Sequence, residues 1–258
     1  MIPLAVFVFG LIIGSFLNVC IYRLPRDISI VRPPSACPRC ATPIKPWENI
    51  PVISYIFLRG KCKQCGEPIS FRYPLVELLN GTLYWLVVHQ FGPGWHLPFL
   101  LAFVSAMVVI TFIDLDFQII PHSITLPGIV IGLTASSFFL PDPFRAVSVV
   151  GFKNSLIGAV AGYGLFFLIA VIGKALTKRD AMGGGDLMLM AMIGAFMGWK
   201  AIFMTTFLGS LTGSVIGIFL MSFKGKDRKT AIPFGPFLAL GALITLFLGG
   251  TILHWYLG

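Results

Sequence analysis

The chain has 258 residues, of which 57% are hydrophobic and 11% charged, with a net charge of +9 and a mean hydropathy of +0.90. Soluble domains carry about 25% charged residues, so this composition excludes a soluble globular protein and specifies a helix bundle in lipid. The positive charge does not imply nucleic acid as a partner, because no basic face carries a reading element.

In chain order, apolar segments at about 1–22, 74–91, 97–115, 119–140, 154–173, 183–199, 201–222 and 233–255 predict an all-α polytopic membrane protein with about eight transmembrane helices. The first segment has no basic residues before it, and Arg23 and Arg26 follow it. That order makes a retained, outward-starting helix rather than a cleaved signal. Cys20 follows bulky Asn18 and Val19 and reads as a packing residue, not a lipid attachment point.

Residues 23–73 differ sharply from the rest, with eight Pro, four of the five Cys and nine Lys or Arg. About fifty residues bury little core, so such a piece needs a staple. Cys37-Pro-Arg-Cys40 and Cys62-Lys-Gln-Cys65, 21 residues apart, supply it. Each pair clamps one edge of a tetrahedron, and together they offer four thiolates to a structural Zn2+. Four protein ligands leave no open position for chemistry. Two redox CxxC pairs are the rival, but no thioredoxin-like βαβ pattern surrounds them.

Basic residues fix the topology. With eight spans and the amino terminus outside, residues 23–73, 174–182 and 223–232 share one side, which then holds 16 of the 19 Lys and Arg. Arg145, Lys153 and Lys200 lie on the other. The positive-inside rule makes the basic side cytoplasmic and both termini extracytoplasmic. The predicted organisation is therefore a first membrane helix (1–22), a small zinc-stabilised cytoplasmic domain (23–73) and a seven-helix membrane domain (74–258).

Two acidic sites stand at the cytoplasmic ends of apolar segments. Asp114 and Asp116 close the third, and Gly183-Gly184-Gly185-Asp186 opens the sixth. Carboxylates at membrane depth are costly and face a cavity or the bundle interior. Residues two apart on a helix point about 200° from each other, so Asp114 and Asp116 do not form a dyad. Asp186 is the partner that topology brings to Asp114, giving an aspartyl protease pair in which one carboxyl holds a proton while the other activates water. Glu77, at the start of the second span, either anchors its helix or contacts substrate. The triple glycine is no phosphate loop, since no Lys-Ser/Thr follows it. It lets a substrate backbone come close.

Taken together, these residues resemble the type IV prepilin peptidases, a family of GxGD membrane aspartyl proteases. Gly14-Ser15-Phe16-Leu17-Asn18-Val19 with Arg23-Leu24-Pro25 is similar to the family's amino-terminal signature. The two CxxC pairs, Glu48-Asn49-Ile50-Pro51, Leu58-Arg59-Gly60 and Arg72-Tyr73-Pro74-Leu75-Val76-Glu77 follow in the family's order. Asp114, in Asp-x-Asp-x4-Pro, and Asp186, in the GxGD motif, match the two catalytic aspartates. His122 departs from the family, which often has Asp there.

The resemblance implies a bacterial inner-membrane enzyme with two activities. It would cleave the basic leader of prepilins or pseudopilins at the cytoplasmic face. It would then N-methylate the new amino terminus with S-adenosylmethionine. Gly60 matches the glycine associated with methyl transfer. The resemblance leaves the oligomeric state open. Two other function classes compete: a transporter with acidic gating residues and a zinc-binding sensor loop, which would need acids near mid-membrane, and a membrane thiol oxidoreductase using the CxxC pairs.

Overall fold

Apolar runs free of interior charge become helices here, and proline, glycine and charge set their ends. The computed structural model describes residues 2–145, 148–178, 182–224 and 233–257. Its helices are α1 (Ile2–Arg23), α2 (Ile53–Phe57), α3 (Arg72–Phe91), α4 (Leu97–Phe117), α5 (His122–Ser136), α6 (Phe152–Thr177), α7 (Gly184–Met197), α8 (Trp199–Lys224) and α9 (Gly235–Leu257). Extended chain among the described residues forms only isolated bridges. Arg179, Lys226, Arg228 and Lys229, used in the charge count above, lie outside the described residues.

Each of the eight apolar segments expected to cross the membrane is a helix. Among the described residues, five segments are long and apolar enough to do so: Ile2–Arg26, Leu97–Phe117, Phe152–Leu176, Trp199–Phe219 and Gly235–Tyr256. α3 has the length, with 20 residues, but buried Glu77 and Asn80 lower its hydropathy. α5 has 15 residues and α7 has 14. At 1.5 Å per residue they reach about 22 and 21 Å, short of a hydrocarbon core of about 30 Å. Pro121 starts α5 late, and Gly198, at φ 80°, stops α7 early.

The chain forms two compact units, Met1–Gly92 and Pro93–Gly258. In the first, α1 and α3 pack against each other along their lengths. Small residues permit the close approach: a Cβ on Gly10 would meet the Gly81 Cα at 2.8 Å, and one on Gly14 would meet the Glu77 Cα at 2.6 Å. The pairings run antiparallel and are tied by polar bonds, Asn18 Nδ2 to the Tyr73 carbonyl at 3.1 Å and Asn80 Nδ2 to the Gly10 carbonyl at 2.8 Å. An apolar cleft of about 490 Å³, lined by Pro3, Leu4, Phe7 and Trp85, sits at the end of this pair remote from the cysteines and carries no polar chemistry.

In the second unit α7 is the innermost helix. Every residue from 189 to 197 is buried, and α5, α6, α8 and α9 all pack on it. A helix apolar and covered all round is a core element. α6 crosses it where Gly158 meets the Gly194 backbone and the Ser155 hydroxyl donates to the Ala195 carbonyl. α6 and α8 expose most of their own surface, with Phe167, Leu168, Phe207 and Val215 pointing outward.

Candidate active site and metal centre

The two CxxC segments build one centre from two copies of the same turn. In the first, the Cys37 N–H donates to Thr42 O and the Ala41 N–H to Cys37 O. In the second, the Cys62 N–H donates to Glu67 O and the Gly66 N–H to Cys62 O. Ala41 and Gly66, each directly after the second cysteine of its pair, take positive φ of 55° and 72°. Bridges Ala36–Pro43 and Lys61–Pro68 close the two turns. The sequence carries this as a repeat, Cys-x-x-Cys-x-x-Pro-Ile at 37–44 and 62–69, which a search for longer periods overlooks.

All four sulfurs lie within 4.8 Å of one another, and Cys37 Sγ is 3.9 Å from Cys65 Sγ. Tetrahedral Zn–S bonds of about 2.3 Å place sulfurs about 3.8 Å apart, so the donor set fits zinc. Electrostatics point the same way. The Thr42 hydroxyl, 3.4 Å from Cys40 Sγ, and the Thr42 backbone lower the Cys40 pKa to about 6. At Cys65 the Glu67 amide lowers the pKa, but desolvation and contact with the sulfurs of Cys62, Cys40 and Cys37 outweigh it and raise it to about 11. Four thiolates so close need a cation. Two independent redox pairs would not need all four sulfurs in one cluster.

Gly60 lies between the knuckles, at φ 67°. Its N–H donates to Tyr55 O and its carbonyl accepts from Ile69 N–H. A Cβ there would stand 3.0 Å from the Tyr55 hydroxyl.

Glu77 has a structural partner set within the same unit. Its Oε2 accepts from the Val52 N–H at 2.8 Å, and the Ser15 hydroxyl bonds it as well. Val52 is held at φ 61°, ψ −47° by an Ile53 N–H to Pro51 O bond of 2.6 Å. A β-branched residue in that region is strained by about 1–3 kcal/mol and persists when its surroundings fix it. Glu77 provides that fixing.

In the second unit, α4 ends at Phe117 because Gln118 turns left-handed, at φ 55°. The same helix buries Asp114, 5% exposed, and exposes Asp116, as the 200° rotation requires. Pro121 then caps α5, with His122 exposed at its first position. Asp186 is half-buried in the first turn of α7. Its carboxylate reaches back to the Gly183 amide, the Glu/Asp half of a capping box. The structure brings Asp114 and Asp186 together, close enough for the charge of one to act on the other.

One partner of this pair is silent in the sequence. The Gly235 N–H, at the first turn of α9, donates to Asp114 Oδ2 at 2.9 Å in a buried bond. A Cβ on Gly235 would meet that oxygen at 2.7 Å. Ile120 packs the pair from the side: a Cβ on Gly185 would meet its Cβ at 2.7 Å, and one on Gly235 its Cδ1 at 3.1 Å. Two helix amino termini, those of α7 and α9, thus supply amides to the two carboxylates, the end that favours negative charge. A pair of carboxyls held at helix ends, one buried and one half-open, can share a proton and polarise water between them.

Residues 8–91 match the family model described as the Bacterial Peptidase A24 N-terminal domain, and residues 101–218 match the Type IV leader peptidase family. A curated protein of Aeromonas hydrophila named prepilin leader peptidase/N-methyltransferase is 40% identical, over 98% of this chain and 92% of that protein. One of Neisseria gonorrhoeae with the same name is 38% identical, over 99% and 94%. A third, of Myxococcus xanthus, is 43% identical over 85% of this chain and 63% of its own length. No solved structure matches the chain at a significant level.

Proposed function

Because the chain belongs to the type IV leader peptidase family, we propose that it removes the basic leader of type IV prepilins or pseudopilins and then N-methylates the exposed amino terminus. The observation that carries the proteolytic half is the convergence of Asp114 and Asp186 at the ends of α4 and α7, with the Gly235 amide fixed on Asp114. With eight crossings, the positive-inside count favours the cytoplasmic face for this end and both termini outside.

Asp114 and Asp186 act as general acid and general base without a covalent intermediate. They hold one proton between them, polarise the scissile carbonyl and deprotonate the attacking water. Oδ2 of Asp114 is occupied by the Gly235 donor, so a proton on Asp114 resides on Oδ1. The proton then passes to the leaving amine. The acids stand at helix ends rather than midway along helices, which argues against a gated transporter.

Cys37, Cys40, Cys62 and Cys65 would hold Zn2+ as a structural ion. S-adenosylmethionine supplies the methyl group when bound. Gly60 serves that half by fixing the turn beneath Tyr55, where a side chain would be strained at φ 67° and would crowd the Tyr55 hydroxyl.

The test is the purified protein in detergent with a prepilin and S-adenosylmethionine, read by mass spectrometry of the product's amino terminus. The expected product has lost its leader and gained one methyl group. Asp114→Asn and Asp186→Asn, folded as wild type, should each leave the prepilin intact. Cleavage by either variant defeats the two-aspartate reading.

A further inference from the structure

α2 presents an apolar face that the described residues leave uncovered. Ile53, Ile56 and Phe57 are 51%, 66% and 83% exposed. Their spacing, i, i+3 and i+4, puts them on one side of the helix. Ser54, about 100° round the helix from Ile53, is buried and donates to the Trp47 carbonyl at 3.0 Å. The outward face is therefore fixed by the fold. Trp47 is also exposed, at 63%.

The depth of α2 follows from Glu77. Val52, the residue before α2, is hydrogen-bonded to Glu77, five residues beyond the start of α3 at Arg72. At 1.5 Å per residue that is about 7.5 Å along the α3 axis. Glu77 itself is buried against Gly14 of α1. α2 thus begins level with the second turn of α3 and with Gly14 in the middle of α1, not out on a stalk. Interfacial helices bury their apolar side about 5–10 Å into the boundary between headgroups and acyl chains.

Charge identifies the occupant. Lys45, Arg59 and Lys61, close to α2 in sequence, are exposed. Residues 23–73 carry nine Lys or Arg against three acids, Asp27, Glu48 and Glu67. A second copy of this segment would meet like charge. So would the basic leader of a prepilin.

We propose that α2 is an interfacial anchor, which inserts Ile53, Ile56 and Phe57 into an anionic lipid surface and sets its basic flank against the phosphates. The inference stands on the burial, depth and charge of the first unit and does not depend on the aspartate pair.

Photocrosslinking of the full-length protein tests it. Phe57→p-benzoylphenylalanine, with Ile56→p-benzoylphenylalanine as a second site, is placed in nanodiscs of phosphatidylcholine and phosphatidylglycerol. Both native side chains are exposed, so neither replacement disturbs the core. Arg39, whose side chain is 72% exposed beside the cysteine cluster, is the control site. Mass spectrometry should find lipid adducts at 57 several-fold above those at 39, with phosphatidylglycerol enriched over its share. Arg59→Gln should cut that enrichment by up to about fivefold, the value of one basic residue near an anionic surface. Adducts with added prepilin or with a second copy in place of lipid overturn the proposal. So do lipid adducts no more frequent than at 39, or adducts with no preference for the anionic lipid.

Discussion

Replacing Gly235 with Ala probes the Asp114 carboxylate without altering either acid. The new Cβ would stand 2.7 Å from Oδ2 and 3.1 Å from Cγ of Asp114. An ordinary carbon–oxygen contact is about 3.3 Å, so the carboxylate must retreat by about 0.6 Å. Productive constellations tolerate displacements of about 0.5 Å. The retreat also stretches the 2.9 Å bond from the Gly235 amide. Hydrogen bonds to charged groups are worth about 1.5–3 kcal/mol, equivalent to about ten- to a hundredfold in rate. Stability works the other way, because Ala loses less backbone entropy than Gly on folding, by up to about 1 kcal/mol. Gly235→Ala should therefore fold normally and cleave prepilin with kcat reduced about ten- to a hundredfold and KM little changed. Steady-state cleavage by purified enzyme, with a thermal melt of the same sample, reads both. Wild-type kcat in this variant would refute the idea that the α9 amide sets Asp114. Loss of activity together with loss of the melting transition would mean that Gly235 serves packing instead.

Other consequences are equally open to measurement. Glu77→Ala strips the acceptor from the half-buried Val52 N–H and should cost about 1 kcal/mol, seen as a lower melting temperature and faster amide exchange at 50–54. Thr42→Val removes the hydroxyl that holds the Cys40 pKa near 6. The Cys40 pKa then rises toward an ordinary thiol value of about 8.5, with the Thr42 amide and the Cys37 and Cys65 sulfurs still holding it down. Zinc affinity by chelator competition should fall most between about pH 6 and 8, and match wild type above about pH 9; an equal loss at every pH would contradict this. Gly60→Ala forces a side chain into positive φ beneath Tyr55 and should lower methylation of the product while leader cleavage persists, both read from one mass spectrum.

The parts of the site that rest on local chemistry were legible in the sequence. CxxC spacing encodes a metal edge, and the helical rotation separating Asp114 from Asp116 needs no coordinates. The repeat Cys-x-x-Cys-x-x-Pro-Ile was also present in the sequence, though at eight residues it is shorter than the repeats that define folds. Gly235 was not legible. It lies 121 residues from Asp114, and nothing about a glycine before a proline reveals which side chain its amide will meet. Glu77 was ambiguous for a related reason, since its partner is the backbone of Val52, a group every residue possesses. The number of membrane crossings is not settled by hydropathy, which registers apolar character and not what covers it. α5 and α7 are apolar, but α7 is apolar because protein surrounds it.

That sheathing of α7 has a mechanical consequence. The helix that carries Asp186 is 14 residues long and is buried from 189 to 197, so lipid does not set its height. Bilayers of different thickness exert their mismatch on helices they touch, which tilt or stretch in response. In this unit those are the outward-facing α6 and α8, each of 26 residues. Asp186 is positioned by reference to protein, like an instrument on a gimbal, while the outer wall follows the membrane. Cleavage should therefore keep nearly the same kcat in short-chain and long-chain lipids.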